Sequence, residues 1–196
     1  MSSVNVPALV LAAGGGRRLG GRPKALITRQ GRPLLAHALE VVRAGGCTGA
    51  VVVLGAAADQ VRATVDTGPS VLVDNPDWES GMGSSLRAGL AALPPGAGAV
   101  LVMLVDTPGV TPAAVARLLA AHAAGAELAA AGYHGRRGHP VLIGARHFAE
   151  AAAGAVGDAG ARALLTAHPV ELVECGDVAV PDDLDTPADL TRWQAG

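Results

Sequence analysis

The run Leu11-Ala-Ala-Gly-Gly-Gly-Arg-Arg-Leu-Gly-Gly-Arg-Pro-Lys24 decides how the rest of the chain is read. It follows an apolar stretch, Val6–Ala13, that reads as a buried strand. Five glycines and four cations (Arg17, Arg18, Arg22 and Lys24) then fall within one turn. Glycines let a backbone curl until several N–H groups converge, and such a concavity binds anions. Cations at its rim point to a polyanion, most simply a nucleoside triphosphate. The loop also lies beyond a strand's carboxyl end, where open α/β sheets bind ligands.

Two other glycine loops are excluded by position. A dinucleotide fingerprint needs G-x-G-x-x-G, but Gly14 and Gly16 lead to Leu19 at the third site. A Walker A loop needs Gly-Lys-Ser/Thr at its end, where counting from Gly15 or Gly16 places Gly21 or Arg22 at the lysine.

Further along, apolar strand-like runs alternate with helical patterns, which predicts a mainly parallel sheet covered by helices. Strands are expected at Ala50–Leu54, Val71–Val73, Val100–Val105, Glu127–Ala131, Pro140–Ile143 and Val170–Glu174. Helices are expected at Pro33–Ala44, Ala57–Val65, Gly83–Leu93, from Thr111 to about Ala124, at Ala159–Ala167, and from Thr186 through Trp193. Thr186 and Asp189 form a capping-box pattern for the last of these. The polar, glycine-containing segment Tyr133–His139 reads as a separator between two strands.

At 196 residues the chain has the length of one domain, expected over residues 1–196. Hydrophobic residues make up 50% and aromatics only 2%, so the core must be built from Ala, Val and Leu. A net charge of −2 implies no basic face and argues against a nucleic-acid partner. Cys47 and Cys175 have no C-x-x-C companion and no zinc spacing with the histidines, and read as reduced thiols of a cytoplasmic protein. Val6–Ala13 is too short for a signal peptide and lacks a basic lead. Pro94, Pro95 and three glycines break the uncharged stretch Ala88–Val105, so no membrane span is expected.

Several residues carry chemistry. Asp106 ends an apolar run in Val-Asp-Thr-Pro-Gly-Val, on the sheet edge that bears the glycine loop. A carboxylate there can hold Mg²⁺ against phosphates, although Asp-Thr-Pro also suits a turn. Asp183 and Asp185 alternate on an extended segment just before the Thr186 cap. In the segment Asn75–Arg87, Gly81 and Gly83 allow close backbone approach, and Ser84 and Ser85 open a helix whose N–H groups and hydroxyls can meet a ligand. His139 sits between a glycine and a proline near Arg136 and Arg137. Asp158 and Arg162, spaced i and i+4, also fit a helix-surface ion pair. His37, His122, His147 and His168 are assigned no role.

The glycine loop resembles L-A-x-G-x-x-x-R-x-G-x-x-K, the signature of the nucleotidyltransferases that include the molybdenum-cofactor cytidylyl- and guanylyltransferases. Leu11, Ala12, Gly14, Arg18, Gly20 and Lys24 all fall in place, while Pro23 stands where many guanylyl members carry Asp. Four more segments match in order. Asn75–Leu86 is similar to N-x-x-W-x-x-G-M-x-x-S-L, and Gly138–Leu142 to G-H-P-V-L. Gly157–Leu164 is similar to G-D-x-G-A-R-x-L, and Asp183–Leu190 to D-x-D-T-P-x-D-L.

The resemblance implies a Rossmann-like, three-layer α/β nucleotidyltransferase fold with a mainly parallel sheet. It implies catalytic roles for Arg18, Lys24 and Asp106, and Mg²⁺ held by Asp106 with Asp183 or Asp185, of which Asp183 is preferred. Nucleotide binding is implied for Leu11, Ala12, Ala13, Gly14, Gly15, Gly16, Arg17, Lys24, Ser84 and Ser85. Acceptor binding is implied for Gly81, Met82, His139, Asp158 and Arg162. The implied reaction joins CMP from CTP to molybdenum-bound molybdopterin with release of pyrophosphate, the product passing to a molybdenum hydroxylase. CTP rather than GTP follows from Ala12-Ala13, where L-A-A-G is cytidylyl-like. The alternatives are guanylyl or other nucleotidyl transfer to another phosphate, reduction of the nicotine-blue type, and a non-catalytic cofactor-binding chaperone.

Overall fold

The computed structural model describes residues 5–195; residues 1–4 and Gly196, the ends of the expected domain span, lie outside the described residues. The strands are β1 (Ala8–Ala12), β2 (Thr28–Arg29), β3 (Arg32–Pro33), β4 (Ala50–Leu54), β5 (Val71–Asp74), β6 (Ala99–Leu104), β7 (Leu128–Tyr133), β8 (Arg136–Gly144) and β9 (Glu171–Glu174). The helices are α1 (Leu34–Ala44), α2 (Ala58–Thr64), α3 (Met82–Ala91), α4 (Pro112–Ala123), α5 (Phe148–Gly154), α6 (Arg162–Ala167) and α7 (Pro187–Ala195).

Seven strands form one sheet in the order β5-β4-β1-β6-β8-β7-β9. The runs β1, β4 and β6 are continuously apolar because they are buried on both faces. β1 lies parallel to both neighbours, with Leu11 opposite Val53 of β4 and Leu104 of β6. The chain therefore steps outward from β1 to β4 and β5, then returns to the other side of β1 as β6. That reversal opens a crevice at the carboxyl ends of β1 and β6. β8 runs antiparallel to β6 and β7, which makes the sheet mixed.

Side chains alternate along β1 and divide the core in two. Ala8, Val10 and Ala12 pack beneath α1, α4 and α7, with Leu35, Val115, Leu118 and Leu190. Leu9, Leu11 and Ala13 pack beneath α3, α5 and α6, with Leu86, Ala151 and Leu165. The expected three-layer α/β architecture is present. With so few aromatics, the helices come close to fill the space. A Cβ on Gly89 of α3 would lie 2.2 Å from Leu9 Cδ1, and one on Gly45 would lie 2.5 Å from Val115 Cβ.

Three local expectations need correction. Tyr133–His139 is no separator: β7 and β8 form a hairpin whose turn residues His134 and Gly135 have φ of 53° and 80°. Two adjacent left-handed residues are what a tight hairpin turn requires, and the polarity of the segment hid it. The helix expected from Ala159 begins at Arg162, after a 3-10 turn at Gly157–Ala159, so Asp158 and Arg162 share no helix and form no ion pair among the described residues. Helix α5 and the β2–β3 ribbon were not anticipated; α5 is a run of small residues with little periodic contrast.

Gly83 in the first turn of α3 offers a test of this close packing. Helix propensity alone favours Ala by about 1 kcal/mol. A Cβ there would lie 2.5 Å from the Ala155 carbonyl oxygen, a backbone atom that cannot rotate away. Gly83→Ala is therefore expected to destabilise by about 1–3 kcal/mol and to lower Tm by about 3–10 °C in thermal melts. An unchanged or higher Tm would mean that the end of α5 can withdraw.

Candidate functional site

The glycine loop leaves β1 and closes on itself. The Gly21 N–H donates to the Gly16 carbonyl at 3.1 Å, and the Lys24 N–H reaches the Gly14 carbonyl at 3.4 Å. Gly16 is held at φ 63°, and a Cβ there would lie 1.8 Å from the Arg22 carbonyl oxygen, so no other residue fits. This closure turns the Lys24 side chain to the tip of β6. Its Nζ donates to Asp106 Oδ2 and to Asp185 Oδ1, each at 2.5 Å. Lys24 and Asp106 side chains are only 15% and 18% exposed, whereas Asp185 is 40% exposed. Burial alone would lower the lysine's pKa, but the charge of Asp106 and the hydrogen bonds to both carboxylates outweigh it and raise it above the ordinary value.

The carboxyl-terminal segment is fixed against the same strand tip. The Leu184 N–H donates to the Asp106 carbonyl at 2.9 Å. The Asp189 carboxylate accepts from the Thr186 N–H and hydroxyl at 2.8 and 2.7 Å, the expected capping box. These bonds hold it at about 2, well below the usual carboxylate range. Asp185, next to the cap, is the acidic residue that converges with Asp106. Asp183, the one preferred under the family resemblance, stands exposed at the rim without a partner of its own among the described residues. Partial desolvation, then repulsion from Asp106 and Asp185, pushes its carboxyl up to about 6.

Two cavities open beside this cluster. The first, about 280 Å³, is lined by Leu11, Ala13, Gly14, Gly15, Arg17, Lys24 and Asp106, and on the α3 side by Gly81, Met82, Ser85 and Asp158. The second, about 470 Å³, is lined by Leu11, Met82, His139, Asp158 and Arg162, with apolar walls from Leu86, Val102 and Val141. Leu11, Met82 and Asp158 border both, so the cavities adjoin. Gly81 has φ 114°, and its missing side chain lets α3 approach Gly157 and Asp158. His139 Nδ1 is buried with no hydrogen-bond partner among the described residues. Burial lowers the imidazole's pKa, against the pull of Asp106, and so favours its neutral form.

Some sequence-expected residues do not reach either cavity. Ala12 packs in the core under α1, because successive strand residues face opposite sides. Gly16 serves the loop's closure. Arg18 is exposed and lies 3.4 Å from Asp185, while its neighbour Arg17 lines the first cavity. Ser84 is turned into its own loop: its hydroxyl accepts from Asn75 Nδ2 at 2.8 Å and faces the carbonyls of Asp77 and Gly81. Sequence reasoning quoted Trp78 within a motif and Arg137 beside His139 but assigned neither a role. Trp78 lies across Gly15 and Gly55 and lines the first cavity; its place in the Asn75–Leu86 motif was the available signal. Arg137 lines the second cavity and donates to the Leu165 carbonyl at 2.8 Å.

Residues 8–172 match the MobA-like NTP transferase domain family. The chain belongs to that family. Among relatives, it is 42% identical over 196 aligned residues, 95% of each chain, to nicotine blue oxidoreductase of Paenarthrobacter nicotinovorans. Among solved structures, it resembles Rv0371c of Mycobacterium tuberculosis H37Rv with a TM-score of 0.85 and 32% identity, covering 100% of both chains. A structure of that protein in complex with manganese gives a TM-score of 0.78 at 32% identity, covering 98% of this chain and 99% of the other. The family implies a nucleoside triphosphate as a substrate. No described helix is long and apolar enough to cross a membrane.

Asp183 yields a pH prediction. Its folded value of about 6 exceeds the ordinary 3.8, so the folded chain binds the proton more tightly than the unfolded chain does. Stability is therefore lost as pH rises through that window. Asp183→Asn is expected to melt above the parent at pH 8, with the gap closing near pH 4, in melts run with a chelator. A gap constant across this range would place the repulsion on another carboxylate.

Proposed function

We propose that the cleft carries out metal-dependent nucleotidyl transfer to a phosphate-bearing acceptor. The observation that carries this reading is the Lys24 ammonium held between Asp106 and Asp185 at the mouth of the Gly14–Gly15 loop. The two carboxylates offer hard oxygen donors of the kind Mg²⁺ and Mn²⁺ take, and they already share one cation. The manganese complex of the Mycobacterium tuberculosis relative supports a divalent ion here. Asp106 and Asp185 would hold it, and when bound it would neutralise phosphate oxygens and act as a Lewis acid.

The chain's own residues supply the rest. Backbone N–H groups of Gly14 and Gly15, with Arg17 and Lys24, bind the triphosphate and the developing charge on its leaving group. An acceptor phosphate oxygen attacks the α-phosphorus; the bond to the bridging oxygen breaks, and pyrophosphate leaves with that electron pair. The acceptor is already anionic, so positioning and charge stabilisation suffice without a strong base. The second cavity takes the acceptor, with Arg137 and Arg162 near its phosphate and His139 Nδ1 free for one hydrogen bond.

The finer form of this reading is CMP transfer from CTP to molybdopterin, supported by Ala13 at the cavity wall and the Asn75–Leu86 pattern. The whole-length relative favours a different acceptor chemistry more directly. Its name supports a second reading, redox conversion of a planar nitrogen heterocycle in the apolar second cavity. Reduction would need a hydride from an external donor, such as a reduced nicotinamide dinucleotide.

One experiment separates the readings: pyrophosphate release from each of four nucleoside triphosphates with Mg²⁺ or Mn²⁺ and candidate acceptors, beside anaerobic reduction of nicotine blue by NADH and NADPH. Metal-dependent pyrophosphate release, reduced about 30- to 1,000-fold in Lys24→Ala and in Asp106→Asn with Tm retained, is the expected result. Heterocycle reduction without pyrophosphate release would establish the second reading instead.

The base preference has its own test. Ala13→Gly is expected to move the ratio of kcat/KM for CTP over GTP toward GTP by a factor of about 5, since one methyl contributes about 1 kcal/mol. A parent enzyme that already prefers GTP would overturn the cytidylyl form.

A further inference from the structure

Outside the cleft, three potential ligands meet that neither catalysis nor the family resemblance uses. The turn Ala145–His147 leads into α5, and α6 ends just before His168. Glu150, in the first turn of α5, lies between the two imidazoles. Its carboxylate oxygens are 2.8 and 2.9 Å from His168 Nε2, and Oε2 is 3.8 Å from His147 Nδ1. One ligand atom from each residue lies within 4.8 Å of the other two.

We propose that His147, Glu150 and His168 form a binding site for a divalent transition-metal ion of the Zn²⁺ type, distinct from the cleft. Zinc takes imidazole nitrogen at about 2.0–2.1 Å and carboxylate oxygen at about 2.0–2.2 Å, which sets tetrahedral ligands about 3.3–3.5 Å apart. The two spacings from Glu150, 2.8 Å to His168 and 3.8 Å to His147, bracket this value. Two imidazoles and one carboxylate select borderline metals over Mg²⁺, whose preference is for oxygen. A cavity of about 430 Å³, lined by both histidines with Glu127 and Glu171, gives water room to complete the coordination.

The surroundings can accommodate the metal. His147 Nε2 now lies 3.2 Å from Arg146 Nε, an N–H donor. Coordination through Nδ1 places the imidazole proton on Nε2, so Arg146 must turn aside. Its guanidinium is exposed and already reaches Glu127 at 3.4 Å, which offers it an alternative partner.

An ion here would tie the start of α5 to the end of α6. Asp158, in the turn before α6, and Arg162, at its first residue, line the second cavity. The site therefore acts as a clip behind the acceptor wall, with a structural effect separable from nucleotidyl transfer.

The test uses the full chain stripped with chelator, in the parent and in an Asp106→Asn background that weakens the cleft. Co²⁺ titration followed by visible absorption should give one ligand-field band that Zn²⁺ displaces and Mg²⁺ does not, in both backgrounds. His168→Gln and Glu150→Gln should each weaken Co²⁺ binding tenfold or more while keeping the parent's metal-free Tm. In the Asp106→Asn background, saturating Zn²⁺ should raise Tm by about 5 °C or more, and adding His168→Gln should abolish that rise. Glu150 is exposed, so its variant remains informative if the histidine variant folds poorly. Absence of the band in the Asp106→Asn background, or affinity unchanged in both ligand variants, would overturn the proposal.

Discussion

The Lys24 ammonium, shared between Asp106 and Asp185, joins three parts of the chain that are far apart in sequence. It brings together the end of the glycine loop, the tip of β6 and the strap that leads into α7. Two carboxylates this close would repel one another without a cation between them, and partial burial weakens the screening that makes most surface ion pairs nearly worthless. Backbone bonds reinforce the arrangement through Leu184 on Asp106 and the Thr186–Asp189 cap. One interaction thus closes the fold at its carboxyl-terminal edge and concentrates charge where a polyanion and a divalent ion would meet.

The second constraint is volume. A core of Ala, Val and Leu fills space only if backbones approach closely, and glycines permit this where helix meets strand or loop. Gly89 lies on Leu9, Gly45 on Val115, and Gly109 on Val180. The same device shapes the cleft. Gly15 and Gly55 make room for Trp78, and Gly81 and Gly83 bring α3 against the segment after α5. The cleft walls are therefore as closely fitted as the core and share its sensitivity to an added methyl group.

The adjoining cavities differ in the charged groups they present. The first is lined by Gly14, Gly15, Arg17, Lys24 and Asp106, the groups to which the proposed reaction assigns the nucleotide. The second is lined by Leu86, Val102 and Val141 with Arg137 and Arg162, the groups to which the proposed reaction assigns the acceptor. Such a pair accommodates either nucleotidyl transfer or redox chemistry on a heterocycle, which is why a shared scaffold alone does not identify the reaction.

The sequence by itself determined the alternation of strands and helices, the cluster of glycines and cations in the loop after β1, and the position of Asp106 at a strand end. Each of these is local: a periodic pattern, a cluster of glycines with cations, or a carboxylate after six apolar residues. Tertiary structure decided that Asp185 rather than Asp183 meets Lys24, that Arg17 rather than Arg18 lines the cavity, and that Ser84 faces its own loop. It also joined β7 to β8 and brought His147 to His168 across 21 residues. Spacing names the residues near a site, but the direction of a side chain in a loop depends on which distant backbone and charged groups satisfy it.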